Sequence, residues 1–254
     1  MRPAKPLALG IVSFAAILVV WELGARVGWL NPFFTSQPTA IVRAIAGQMR
    51  SGELLRSVSV SLVEFALGFG AAIAVGLTLG IAAGWFRTVE YALHPFIWFV
   101  YSAPLIAFYP LFVLWLGLGA GTVIAISFLL SVMPIAVNTI AGISGLDPML
   151  LLAARSFGAR PNDLLWKVAL PSSVPMIAAG LRLGVGRALT GVVIAELFVP
   201  SGGLGSSIAY NAGLLRTTDM LASLAVIVLI GVICTQTLSA LEAKLSAWRT
   251  GPGL

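Results

Sequence analysis

Gly68-Phe69-Gly70-Ala71-Ala72-Ile73-Ala74-Val75-Gly76-Leu77-Thr78-Leu79-Gly80-Ile81-Ala82-Ala83-Gly84 contains no charged side chain, and a glycine or alanine returns at every fourth place. Positions four apart share one face of a helix, so Gly68, Ala72, Gly76, Gly80 and Gly84 draw a strip of very small side chains along it. Extended outward, the run fills 58–85 with Glu64 as its one charge. That is longer than the roughly 20 apolar residues a helix needs to cross a bilayer. Between helices in lipid there is no hydrophobic drive, and close backbone approach over small residues supplies the packing. The strip is read as a packing face within the chain.

The rest of the sequence agrees with a lipid solvent. Of 254 residues, 59% are hydrophobic and 9% charged, with a mean hydropathy of +1.02; a soluble domain carries about 25% charged residues. Six apolar segments are expected, near 7–28, 58–85, 93–117, 120–141, 172–199 and 220–245, which makes the chain an all-α, polytopic membrane protein. The first is read as a retained span, because its apolar core exceeds the 7–15 residues usual in a cleaved signal. A net charge of +6 is spread along the chain, which fits span-flanking Lys and Arg and not nucleic-acid binding. The single Cys234 and single His94 leave no intrachain disulfide and no His/Cys metal cluster to expect.

Between the spans, 29–57 reads as an extended stretch and a short amphipathic helix, and 200–219 as a turn-rich connection. With the N-terminus inside, Arg2, Lys5, Arg87, Arg155, Arg160, Lys167, Lys244 and Arg249 fall on the cytoplasmic side. Arg26, Arg43, Arg50, Arg56 and Arg216 fall outside, a moderate bias that puts both termini in the cytoplasm. A second small-residue strip, Gly180, Gly184, Ala188, Gly191 and Ala195, is expected at a subunit interface or a moving seam. Pro95, Pro104 and Pro110 should break the third span, and Pro134 should kink the fourth. Glu22, Glu64, Arg182, Arg187 and Glu196 lie within spans, where charge is costly and tends to face a bundle interior. Glu22 can reach the interface by snorkelling, Glu64 and Glu196 are expected in one polar cluster, and Arg187 either lines a pathway or pairs with a carboxylate.

The densest charge lies in 142–171, whose centre reads Asp147-Pro148-Met149-Leu150-Leu151-Leu152-Ala153-Ala154-Arg155-Ser156-Phe157-Gly158-Ala159-Arg160-Pro161-Asn162-Asp163-Leu164-Leu165-Trp166-Lys167-Val168-Ala169-Leu170-Pro171. It reads as a helix that stops at Gly158, a tight turn, and a short helix begun by Pro161 and ended at Leu170-Pro171. Two short helices jointed over small residues make an apolar and basic knuckle, suited to a groove on another protein.

This segment resembles the cytoplasmic signature loop of ATP-binding-cassette importer permeases, through Ala153-Ala154, Gly158, Val168 and Leu170-Pro171. Asn138-Thr139, Gly142-Ile143, Asp147-Pro148, Gly180-Leu181-Arg182, Gly186-Arg187 and Ala195-Glu196 are similar in order and spacing to the nitrate/sulfonate/taurine branch. So are Leu114-Trp115-Leu116-Gly117-Leu118-Gly119 upstream and Gly202-Gly203-Leu204-Gly205 downstream. One departure stands: the family signature opens with Glu-Ala-Ala, and this chain has Leu152-Ala153-Ala154.

The resemblance implies a type I importer permease fold filling 1–254 as one transmembrane domain, with 142–171 as its coupling loop, in a bacterial inner membrane. It implies a homodimer on two copies of a separate ATPase subunit, served by a periplasmic or lipid-anchored solute-binding protein. ATPase coupling would fall to Ala153, Ala154, Gly158, Ala159, Pro161, Asn162, Leu165, Leu170 and Pro171, and the solute pathway to Tyr101, Tyr109, Asn138, Arg187 and Glu196. The chain lacks a Gly-x-x-x-x-Gly-Lys-Ser/Thr phosphate loop, so ATP and magnesium are expected on the partner and no cofactor on this chain. The solute would be a small anion of the sulfonate, taurine, nitrate or aromatic-acid type. The rival class is a secondary carrier or channel with Glu64, Glu196 and Arg187 as a relay, which has no use for the knuckle. An intramembrane enzyme finds no matched catalytic set.

Overall fold

The computed structural model describes residues 4–245, and among these there is no strand. Arg2 and Arg249 lie outside the described residues, as do the side chains of Lys5 and Lys244. The helices are α1 (Ala4–Arg26), α2 (Pro32–Thr35), α3 (Pro38–Ser51), α4 (Glu53–Trp85), α5 (Arg87–Ser102) and α6 (Tyr109–Leu116). After them come α7 (Ala120–Ser144), α8 (Pro148–Ser156), α9 (Pro161–Asp163), α10 (Leu170–Phe198), α11 (Leu204–Gly213) and α12 (Thr217–Leu245).

Four helices among the described residues are long and apolar enough to cross a membrane, and α5 with Leu105–Leu116, a pair bent by 83°, makes five when counted as one span. The 23 residues of α1 make about 35 Å of helix at ~1.5 Å per residue, the length of the first span expected from sequence. The bend belongs to one proline. Ala103, ahead of Pro104, is extended at φ −67°, ψ 136°, as a residue before proline must be. Pro95 sits inside α5 without ending it, and Pro110 occupies the first turn of α6, where no backbone N–H is needed. The expectation that all three prolines break this span is therefore corrected to one.

The core is a three-helix stack with α7 in the middle. The α4 strip faces α7: a Cβ at Gly76 would lie 2.9 Å from Ile135 Cγ2, and one at Gly80 2.5 Å from Thr139 Cβ. The α10 strip meets an adjoining face of α7, sharing Ser127 and Ile135 with the α4 strip. A Cβ at Gly180 would lie 2.7 Å from Asn138 Cβ, and one at Gly191 2.9 Å from Ser127 Cα. The second strip is thus an intrachain packing face and not a subunit interface. Both seams bring backbones into near-contact, and on the α10 side short polar side chains bond across it. Ser127 Oγ donates to Ala188 O at 3.2 Å, and Ser173 Oγ of α10 donates to Gly142 O at 2.8 Å. Phe69, Ala72, Val132, Ile135, Val185 and Ala188 close the centre of the stack.

The remaining elements sit around it. Glu22 of α1 accepts from Arg26 Nε at 2.7 Å and from Thr39 N and Oγ1 at 3.1 and 2.9 Å, fastening α1 to α3. Ser36 bonds Thr218 at 2.8 Å and Gln48 Nε2 donates to Asp219 at 2.9 Å, fastening the α2–α3 region to α12. Arg182 pairs with Glu242, joining α10 to α12. The 200–219 stretch, read as turns, holds the ten-residue α11; Leu204 and Gly205 are buried at its start, so packing and not turn composition decides its conformation.

Candidate functional site

The segment 145–169 forms an elbow at one end of the stack. Asp147 caps α8, its carboxylate accepting from Met149 N at 2.8 Å. α8 stops in a Schellman turn: Gly158 N–H donates to Arg155 O at 2.9 Å, and Ala159 N–H to Ala154 O at 3.1 Å. The turn needs φ +85° at Gly158, a conformation that only glycine adopts freely. Pro161 then opens α9, where Asp163 accepts from Arg160 N at 3.3 Å and pairs with Lys167 at 2.6 Å.

The second elbow helix does not end at Leu170-Pro171. It passes through a π turn, Leu164–Ala169, straight into α10, so Pro161–Phe198 is one helix of 38 residues. The reason lies in proline geometry. Proline lacks an N–H and its ring crowds the carbonyl four residues back; a wider turn just before it removes the conflict. Leu170 N–H donates to Leu165 O, the five-residue bond of such a turn.

Leu164 and Ala169 are buried, whereas Leu165, Leu170, Pro171 and Ala154 are half-buried and Ala153, Pro161 and Asn162 are exposed. Ala159 is half-buried beside the turn. Sequence reading missed the two side chains that stand out most, Phe157 at 92% exposure and Trp166 at 66%. Their only sequence signal was an aromatic pair in the most charged segment. Beneath the elbow, Trp85, Arg87, Glu90, Tyr91, Arg155 and Pro161 help line a cleft of about 670 Å³.

A smaller cavity of about 120 Å³ opens on the surface of the bundle, where the exposed Arg187 of α10 and Tyr101 line it with Ala103, Leu105, Met133 and Pro134. Of the five candidate pathway residues, this cavity brings together Tyr101 and Arg187. Asn138 turns back on its own helix, Nδ2 donating to Pro134 O at 2.8 Å. Tyr109 donates to Phe198 O at 3.0 Å at the end remote from the elbow, and Glu196 is buried near that end. Arg187 forms no ion pair among the described residues.

A single helix of 38 residues is about 57 Å long at ~1.5 Å per residue. It joins an exposed aromatic knuckle to the helix that carries Arg187. Displacement of the knuckle is therefore displacement of one wall of the cavity.

Comparison with known proteins adds the following. The family model for the binding-protein-dependent transport system inner membrane component matches residues 76–245. The chain is 36% identical over 250 residues to a protein of Methanocaldococcus jannaschii carrying the name of an ABC transporter permease, covering 96% of this chain and 93% of the relative. It is 32% identical over 250 residues to the taurine transport system permease protein TauC of Escherichia coli strain K12, covering 96% of this chain and 91% of that one. In fold it is similar to a chain of the MetNI methionine ABC transporter, solved in inward-facing conformations. The TM-score is 0.66 at 19% identity, over 78% of this chain and 98% of the other.

Proposed function

Since the chain belongs to the family of binding-protein-dependent transport system inner membrane components, we propose that its elbow receives the stroke of a partner ATPase and passes it along α9–α10 to the solute cavity. It is a permease subunit of an ABC importer, embedded in the membrane by its apolar helices, in a family that works with ATPase and binding-protein partners. The observation that carries the proposal is the unbroken run from Pro161 to Phe198. A docking helix separated from its span by a flexible loop would lose the motion in the loop.

In this reading Phe157 and Trp166 seat in a cleft of the ATPase, with Ala153, Ala154, Ala159, Pro161, Asn162 and Leu165 shaping the contact. Leu170 and Pro171 form the junction into the span. Leu152, 58% exposed where the family signature has a carboxylate, makes the contact by apolar burial and not by an ion pair. ATP and magnesium belong to the ATPase, and this chain binds no cofactor of its own. The elbow and both termini face the cytoplasm. Two copies of the permease face one another through lipid-level apolar surface, on two ATPase copies, with an extracytoplasmic binding protein above. The exposed Leu114 at 79% and Trp115 at 65% provide apolar area of the kind a second copy or lipid would cover.

The solute is a small anion of the sulfonate, taurine, nitrate or aromatic-acid type. An arginine without a carboxylate partner, beside Tyr101 in a half-polar cavity, supports it. A guanidinium matches the planar or tetrahedral oxygens of such groups. The taurine relative is consistent with the same class. The test is co-purification: expressed with candidate neighbouring subunits, the chain retains an ATPase, and Phe157→Asp with Trp166→Asp releases it. Retention of the ATPase by that double variant would overturn the docking assignment.

A further inference from the structure

A second polar site lies at the end of the stack remote from the elbow, and import as described above makes no use of it. Glu64 of α4 and Glu196 of α10 are each 1% exposed. The Glu196 carboxylate is well supplied with donors: Ser61 Oγ donates to Oε1 at 2.6 Å and Gly205 N–H to Oε2 at 2.6 Å. Ser61 also accepts from Leu204 N–H at 2.8 Å, which fixes its hydroxyl and commits its own proton to Glu196. A side chain at Gly203 would collide with the Glu196 carboxylate, so the Gly202-Gly203-Leu204-Gly205 run is what lets the chain fold over it.

Glu64 has none of this support. Both of its oxygens are buried without a donor, one turn along α4 from Ser61, whose hydroxyl is bonded to Glu196. Charged relief is missing from the surrounding helices too. α7 contains no ionisable residue at all, Tyr109 of α6 is engaged with Phe198 O, and among the described residues no Lys or Arg pairs with either carboxyl.

Two ionised carboxylates side by side and out of water repel each other and have lost their hydration. A carboxylate oxygen can only accept; a carboxyl that keeps its proton can donate. We propose that Glu64 and Glu196 form a proton-binding site in which one proton is held between two carboxyls. Glu64 carries it and donates to Glu196, which stays anionic under Ser61 and Gly205. The pair then bears one negative charge and Glu64 gains the partner it lacks, in a charge-assisted bond of the stronger kind. The proton ties α4 to α10 and to the loop folded across them, so it is a structural ligand of the outer end.

Infrared difference spectroscopy on the assembled transporter in lipid nanodiscs at neutral pH reads it. Wild type minus Glu64→Gln should show one protonated-carboxyl C=O stretching band per permease chain, shifted downward in D₂O. Glu196→Gln should shift the same band in frequency, since the buried Glu64 acid then donates to a neutral amide oxygen and not to a carboxylate; this second variant serves if the first does not assemble. Absence of any exchangeable band from wild type overturns the proposal. So does a band that Glu64→Gln fails to remove or that Glu196→Gln leaves unshifted. A melting temperature that depends on sodium or potassium, with no band, would assign the site to a cation instead and equally overturn it. None of these readings involves ATP or uptake, so they stand apart from the fate of the import mechanism.

Discussion

Gly158 concentrates the elbow in one backbone angle. A Cβ there would meet nothing within 4 Å, so the requirement is conformational and not steric. A residue with a side chain pays about 1–2 kcal/mol to hold the left-handed turn, enough to redirect α9 without unfolding the membrane helices. Gly158→Val is expected to assemble with its ATPase and hydrolyse ATP, but with solute moved per ATP reduced several-fold; unchanged coupling would remove the turn from the mechanism. Arg187 makes a different kind of prediction. Hydrogen bonds to a charged group contribute ~1.5–3 kcal/mol, so Arg187→Met should weaken apparent solute affinity of the reconstituted transporter by roughly tenfold or more, with expression and assembly intact. Arg187→Lys should fall between, keeping charge and losing the planar fork. Its mid-span position was legible as an anomaly in an apolar run. That Tyr101 joins it and Tyr109 and Asn138 do not was illegible, because each turns on a bend or a side-chain rotamer that spacing does not encode.

At the scale of elements, the small-residue strips were readable and their partners were not. Four-residue periodicity states that something approaches closely. It does not state what, and the Gly180 strip lies on α7 and not on another subunit because α7 offers Ser127, Pro134, Ile135 and Asn138 at matching height. The strips also predict opposite effects from one chemical change. Gly80→Ala drives a methyl to 2.5 Å from Thr139 Cβ and should destabilise by about 1–3 kcal/mol. Gly70→Ala faces open space and should be neutral or stabilising by up to ~1 kcal/mol, from helix propensity. Thermal melting of the purified complex decides; equal effects would mean that the α4–α7 seam is looser than described. Pro171 shows the converse limit. Proline reads as a helix end, and only the π turn before it, invisible to residue type, carries the chain through.

For the whole molecule, composition alone settled lipid as the solvent, since 9% charged residues cannot cover a water-facing surface. The elbow sequence then distinguished a machine driven from outside from a self-contained carrier. A carrier relay would need Glu64, Glu196 and Arg187 in one chain of contacts. Instead Arg187 lines a cavity open on the bundle surface, without either carboxyl, and the two glutamates are enclosed by α4, α10 and the loop before α11. What remained unreadable was mechanical continuity, because the length of a rigid lever depends on whether a break survives packing.

Solute uptake into proteoliposomes containing this chain and its binding protein, measured with and without the ATPase subunit and with ATP or a non-hydrolysable analogue, tests the central claim most directly. Accumulation against a gradient should occur only with the ATPase and hydrolysable ATP together. Uptake at the same rate when the motor subunit is omitted would contradict it.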